Sequence, residues 1–423
     1  MRKRLKFIAL LASFGSTAVL LASIGSTTLL SSTSLAAEQA AGPQVSASVA
    51  KPLKAAQDAM REKKLDEALA KTKEAQAASG EKSAYDNFVI EVLLFQIYQQ
   101  KQDMGAAIPV LAQAAQSQYA SADQQRSWLK NIALYYFQQK DYTKALDAAD
   151  QAVKHGANDG DTLRLIAKSQ YLSGNYKEAA VTIQQVVAKQ DKPDEESLKL
   201  MWQFDLKAND QAGASKAVEK LVSYYPKPEY WANALASLVN ADTKDARVQL
   251  NVYRLMSDVG VLKRGGDYAE MADIALDQGY PGETEAVLQK AFAQNVFTDP
   301  RDKERYQHLL DGAKQRAATD IAALPAKEQD AASAPAGDKL VQLGATYLSY
   351  GQYDKAVASI TKGIAKGSLK SPEEANVLLG ISQLRMKNAG EAQRAFVKAA
   401  GSRNGAYIQL GRLWALHAGA HDV

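Results

Sequence analysis

A chain of 423 residues that is 46% hydrophobic and 23% charged has ample apolar material for a buried core. It contains no cysteine, which excludes disulfides, thiolate metal sites and thiol nucleophiles. Its formal charge of +4 lies wholly in residues 1–37, which hold four basic and no acidic side chains; the remainder balances 47 basic against 47 acidic groups. That neutral remainder lacks the positive excess needed to neutralise phosphates, which argues against a nucleic-acid partner.

Arg2, Lys3, Arg4 and Lys6 lead into an apolar, acid-free stretch that starts at Phe7 and becomes rich in Ser and Thr. Ser34-Leu35-Ala36 then places small residues at −3 and −1 of a cleavage site, with Ala37 as the new N-terminus. Basic, apolar and small-residue regions in that order describe a secretory signal peptide over residues 1–36, and a periplasmic location. The alternative is an uncleaved membrane anchor, since Phe7 to Ile24 spans 18 residues where a membrane helix needs ~20. Gly15, Ser16 and Thr17 interrupt that stretch. Residues 37–50 are expected to be disordered.

Beyond them a short turn followed by an alanine recurs: Lys64-Leu65-Asp66-Glu67-Ala68, Lys140-Asp141-Tyr142-Thr143-Lys144-Ala145, Gly174-Asn175-Tyr176-Lys177-Glu178-Ala179 and Gly351-Gln352-Tyr353-Asp354-Lys355-Ala356. With the alanine as marker the series is Ala68, Ala107, Ala145, Ala179, Ala214, Ala356 and Ala392. Upstream, Leu343-Gly344 with Tyr347, Leu379-Gly380, Ile132-Ala133 with Tyr136, and Ile166-Ala167 hold matching places in a first helix. Ile360, Phe396 and Ala399 fill packing positions in the second. Small residues let two antiparallel helices approach closely while Leu, Tyr and Phe fill the groove between them.

The spacings of 34 and 35 between the best markers, with this pattern, resemble the tetratricopeptide repeat, whose period is ~34 residues. The resemblance implies an all-α fold, an α-α superhelix of stacked antiparallel hairpins. We expect an N-terminal array over 51–298, a long polar helix without a clear partner and a flexible Ala/Pro linker over 299–338, a C-terminal pair of repeats over 339–400, and a C-terminal helix and tail over 401–423 that is disordered after about Leu416. The stretch from Tyr224 to Trp231, with Val252-Tyr253-Arg254-Leu255 and Asp267-Tyr268-Ala269-Glu270-Met271-Ala272, also resembles a group of proteobacterial envelope repeat proteins often encoded beside TonB-type components.

A catalytic constellation is not evident. No phosphate loop of the Walker type or nucleophile elbow occurs, and Asn158-Asp159-Gly160-Asp161 fits an inter-repeat turn, with Asp161 capping the next helix, better than a calcium loop. His417 and His421 share an i, i+4 spacing, but Gly419 lies between them and no Cys or carboxylate pair accompanies them. His155 follows Lys154 at a helix end, where a cation suits the helix dipole. The sequence thus calls for no cofactor, no metal and no small-molecule substrate.

Binding of a protein partner is the remaining reading. Register places Gln96, Lys130, Phe137, Arg164, Lys168 and Tyr171 on the first-helix face, which lines the concave side of such a solenoid. Cations and aromatics together suit carboxylates and apolar side chains of a ligand. Tyr224, Tyr225, Tyr230 and Trp231, stiffened by Pro226 and Pro228, form a second candidate, half core and half exposed anchor. The expected role is an envelope scaffold or adaptor, with TonB-type transport implied by resemblance; a repeat protein of polysaccharide or outer-membrane export and an enzyme with an unrecognised site are the rival readings.

Overall fold

The computed structural model describes residues 43–78, 82–239 and 245–419, so the expected signal peptide and His421 lie outside the described residues. Among the described residues the chain forms 20 helices and no strand, in two compact units. The fold is an all-α stack of helical hairpins.

The first unit comprises residues up to Pro193 together with Gln203–Asn209. Its helices are α1 (Ala47–Arg61), α2 (Leu65–Ala77), α3 (Ala84–Gln100), α4 (Met104–Ala115), α5 (Ala122–Gln138), α6 (Tyr142–Lys154), α7 (Gly160–Leu172) and α8 (Tyr176–Ala188), and the end of α9 (Glu195–Lys207) joins them. Each odd-numbered helix from α1 to α7 packs on its successor. The marker alanines explain how: Ala68, Ala107, Ala145 and Ala179 are fully buried, each a point where only a methyl group separates two helices.

The turns within these hairpins share one construction. Lys63, Gln102, Lys140 and Gly174 each take a positive φ, and the next N–H bonds back to a carbonyl five residues earlier, as in Asp103 N to Tyr98 O at 2.9 Å. The following residue starts the second helix; Asp103 and Asp141 cap it by accepting from the backbone N–H groups of Ala106 and Lys144, both at 3.1 Å. Ser83 and Ser121 make reciprocal capping boxes with Asp86 and Gln124 at the starts of α3 and α5. His155 is the C-cap residue of α6.

Two expectations are corrected here. Residues 47–50, read as disordered, are helical: Val49 is fully buried, and the Ser46 N–H and hydroxyl donate to the two carboxylate oxygens of Asp86 at 2.8 and 2.6 Å. The cap of α7 is Asp159 rather than Asp161, accepting from Thr162 N at 3.0 Å, because the helix begins at Gly160.

The second unit takes Asp194–Trp202 and residues from Asp210 onward. It contains α10 (Gln211–Tyr224), α11 (Pro228–Val239), α12 (Ala246–Asp258), α13 (Gly265–Asp277), α14 (Pro281–Ala293), α15 (Pro300–Ser333), α16 (Asp338–Ser349), α17 (Tyr353–Lys366), α18 (Pro372–Arg385), α19 (Ala389–Ala400) and α20 (Gly405–Gly419). Ala356 and Ala392 are fully buried, and the expected Leu-Gly positions are tight. A Cβ on Gly380 would fall 2.4–2.7 Å from the Phe396 ring, and one on Gly344 would fall 2.4 Å from Ile360.

The stretch read as an Ala/Pro linker is largely helix. α15 is continuous for 34 residues, through Pro325 to Ser333, and packs on α14 and α16. Pro325 is tolerated because it and Ile321, whose carbonyl it deprives of a helical donor, are both exposed. Leu324 and Ala331, on the other side, join Leu343, Tyr347, Ile360 and Leu378 in one core cluster. The first half of α15 does have partners, with Tyr306 stacked on Phe297 at 4.8 Å. The tail is ordered as far as α20, where Ala418 is fully buried, and α20 packs on α10, α11, α12, α18 and α19.

Candidate functional site

Gln96 sits on α3, Lys130 and Phe137 on α5, and Arg164, Lys168 and Tyr171 on α7, all of them half-buried. α5 and α7 touch. Lys130 bridges them, its Nζ donating to Asp159 Oδ2 at 2.9 Å. Burial works to raise the Asp159 carboxyl, but the hydrogen bonds from Lys130 and Thr162 outweigh it and hold the group at about 2. Arg164 pairs with Asp161 on its own first turn. Pairs as exposed as these contribute ~0–1 kcal/mol, so a carboxylate of a partner can compete for either cation.

The aromatics of this face are packing residues. Phe137 lies against Tyr142 with ring centroids 5.7 Å apart. Tyr171 stacks on Phe204 of α9 at 4.4 Å, meets Tyr176 edge-on at 5.3 Å, and accepts from Gln203 Nε2 at 3.1 Å. The i, i+4, i+7 spacing from Arg164 does put Tyr171 on that side of α7, where α9 takes up its ring.

The aromatic run is split by burial. Tyr230 and Trp231 are buried in the second unit, whereas Tyr224 and Tyr225 are half-buried. The Tyr230 hydroxyl donates to Glu195, which also accepts from Lys227 Nζ at 2.6 Å. Trp231 meets His417 edge-on at 6.0 Å.

Sequence reasoning missed the charged interior of the second unit. Arg254, 5% exposed, forks onto Glu283 through Nε at 2.8 Å and Nη2 at 2.5 Å, and gives Nη1 to Asn251 Oδ1 at 2.8 Å. Its guanidinium lies 5.7 Å from the Tyr280 ring centroid, and burial pushes the Tyr280 hydroxyl up to about 12. Arg247 reaches Glu374 at 3.4 Å. Burial nevertheless pushes the Glu374 carboxyl above the usual range, against the pull of Arg247 and Arg254. These ion pairs join α12 to α14 and α18, which no local spacing could show.

Cavities lie beside these elements and elsewhere in the second unit. One of about 240 Å³ is lined by Arg247, Tyr280 and Glu374, and one of about 470 Å³ by Arg254, Glu283 and Arg385. A groove of about 660 Å³ lies among α10, α19 and α20. Among the described residues no three His, Cys, Asp or Glu side chains gather in a metal-binding cluster, and no helix is long and apolar enough to cross a membrane.

No protein-family model and no curated protein matches this chain. Solved structures similar to it include a tetratricopeptide repeat protein from Parabacteroides merdae ATCC 43184, 14% identical over 78% of this chain and 98% of its own, at a TM-score of 0.28. The P58(IPK) TPR domain is 13% identical over 89% of this chain and 98% of its own, at 0.22. The Naa15/Naa10 complex bound to HypK-THB is 14% identical over 84% of this chain and 58% of its own, at 0.29. The hairpin stack itself is read from the helices, turns and buried alanines of this chain.

Proposed function

We propose that this protein is an exported scaffold of the bacterial cell envelope that holds a protein partner on the first-helix face of its first unit. The observation that carries the reading is the placement of Lys130, Arg164 and Lys168, partly exposed, on the touching first helices α5 and α7. Partly exposed cations on one face suit the carboxylates of an acidic or amphipathic ligand. The basic start and the Ser34-Leu35-Ala36 site support export, and the likeness to envelope repeat proteins supports a place near TonB-type transport.

The test is the double variant Arg164→Ala, Lys168→Ala, used as bait against an envelope extract of its native host. Partner recovery should fall roughly ten- to a hundredfold, equivalent to ~1–3 kcal/mol. Unchanged recovery with an unchanged melting temperature would move the binding face elsewhere.

A further inference from the structure

The groove at α10 gathers three cations around an apolar strip. α10 presents Lys216 and Lys220, one turn apart, on the side opposite its buried stripe of Ala214, Ala217, Val218 and Leu221. α20, which touches α10, faces them with Arg412 and Leu416, and the end of α19 floors the space with Val397. Val397 is 59% exposed, the most exposed large hydrophobic side chain among the described residues. Tyr224, the first aromatic of the run, completes the wall.

Arg247, Arg254 and Arg385 of this unit are all paired with carboxylates. Lys216, Lys220 and Arg412 form no ion pair among the described residues, and Glu219 is the only carboxylate lining the groove. Three cations around an apolar floor, with a single acid beside them, define a complementary shape and charge. A helix with an apolar stripe and carboxylates at i, i+4 matches both, its stripe meeting Val397 and Leu416 and its acids meeting the two lysines on α10.

We propose that this groove seats an acidic amphipathic helix of a protein partner. The proposal rests on the scaffold reading above and adds to it a second surface and the chemistry of what it takes. The recess lies between two helices and its cations flank an apolar strip, a form that suits an inserted helix better than a flat lipid surface.

The probe is a labelled peptide of roughly 18 residues, about five helical turns, with Leu at i, i+3, i+4 and i+7 and Glu elsewhere, titrated against the full chain by fluorescence anisotropy. We expect saturable binding that weakens with salt, and no binding of the matching Leu/Lys peptide. Lys216→Glu with Lys220→Glu, and separately Val397→Asp, should each weaken binding about tenfold or more at an unchanged melt. Arg164→Ala with Lys168→Ala should leave it intact.

Equal binding of the two peptides, or unchanged affinity in the groove variants, overturns the proposal. So does preferential binding to phosphatidylglycerol vesicles with loss in the same variants, which would make the groove a membrane contact. A dimer abolished by Lys216→Glu with Lys220→Glu would make it a contact between copies. Envelope partners still recovered on the first-helix face while the peptide fails to bind would remove the groove alone. Peptide binding without any envelope partner would remove that first-helix reading and leave the groove standing.

Discussion

Arg385 on α18 and Asp258 at the end of α12, 127 residues apart in sequence, form a two-pronged ion pair at 2.7 and 2.8 Å. Asp258 is 11% exposed, and its other neighbour of opposite potential charge is His417, 3.8 Å away on α20. The pair therefore ties the early and late helices of the second unit at a place of low solvent access.

Arg385→Ala should lower stability by ~1–3 kcal/mol, since it strips a nearly buried carboxylate of its main partner. Hydrogen exchange should show protection falling in α12 and α18 together. A loss confined to α18 would mean that the pair does not couple them.

Two other largely buried carboxylates should respond in opposite ways. Glu283→Gln leaves Arg254 buried and without its counter-charge, and should cost ~3–5 kcal/mol at neutral pH. Glu374 titrates above the usual range because burial disfavours its charged form. Its contribution to stability is thus present below the ordinary Glu value of about 4.3 and is lost as pH rises through its raised folded value. Glu374→Gln should melt at or above the wild type at pH 7, with the difference fading below about pH 4. Melts across that range check both signs.

Ala179 is fully buried between α7 and α8. Ala179→Leu should overpack the hairpin and cost ~1–3 kcal/mol by thermal melt. Gly380→Ala should be destabilising by the same cause, since its new methyl would overlap the Phe396 ring.

These positions were readable from the sequence because each is set by local spacing. A helix crossing needs a small residue at a fixed step from the turn, and Ala68, Ala107, Ala145, Ala179, Ala356 and Ala392 all meet that need at zero exposure. The turns were harder to read, since Lys63, Gln102, Lys140 and Lys387 take the left-handed conformation with no glycine to announce it. Pro325 and its alanines suggested a linker because proline removes a helical donor, yet one exposed proline does not outweigh the burial of Leu324 and Ala331. The interior ion pairs were beyond reach: Arg247 with Glu374 and Asp258 with Arg385 meet only once the helices have stacked.

Pro325→Ala should raise stability by roughly 1–3 kcal/mol, because alanine restores the helical donor at an exposed position of α15. An unchanged melt would show that the helix is not continuous there in solution.

Edman sequencing of the protein from the envelope fraction should begin at Ala37. A product still starting at Met1 would mean that the N-terminal segment stays as an anchor.

α15 has one more effect. A hairpin returns the chain to the side from which it came, whereas a single helix of 34 residues, ~51 Å long, carries it across. A full repeat's worth of sequence is spent there without a reversal, so the parity of the stack changes.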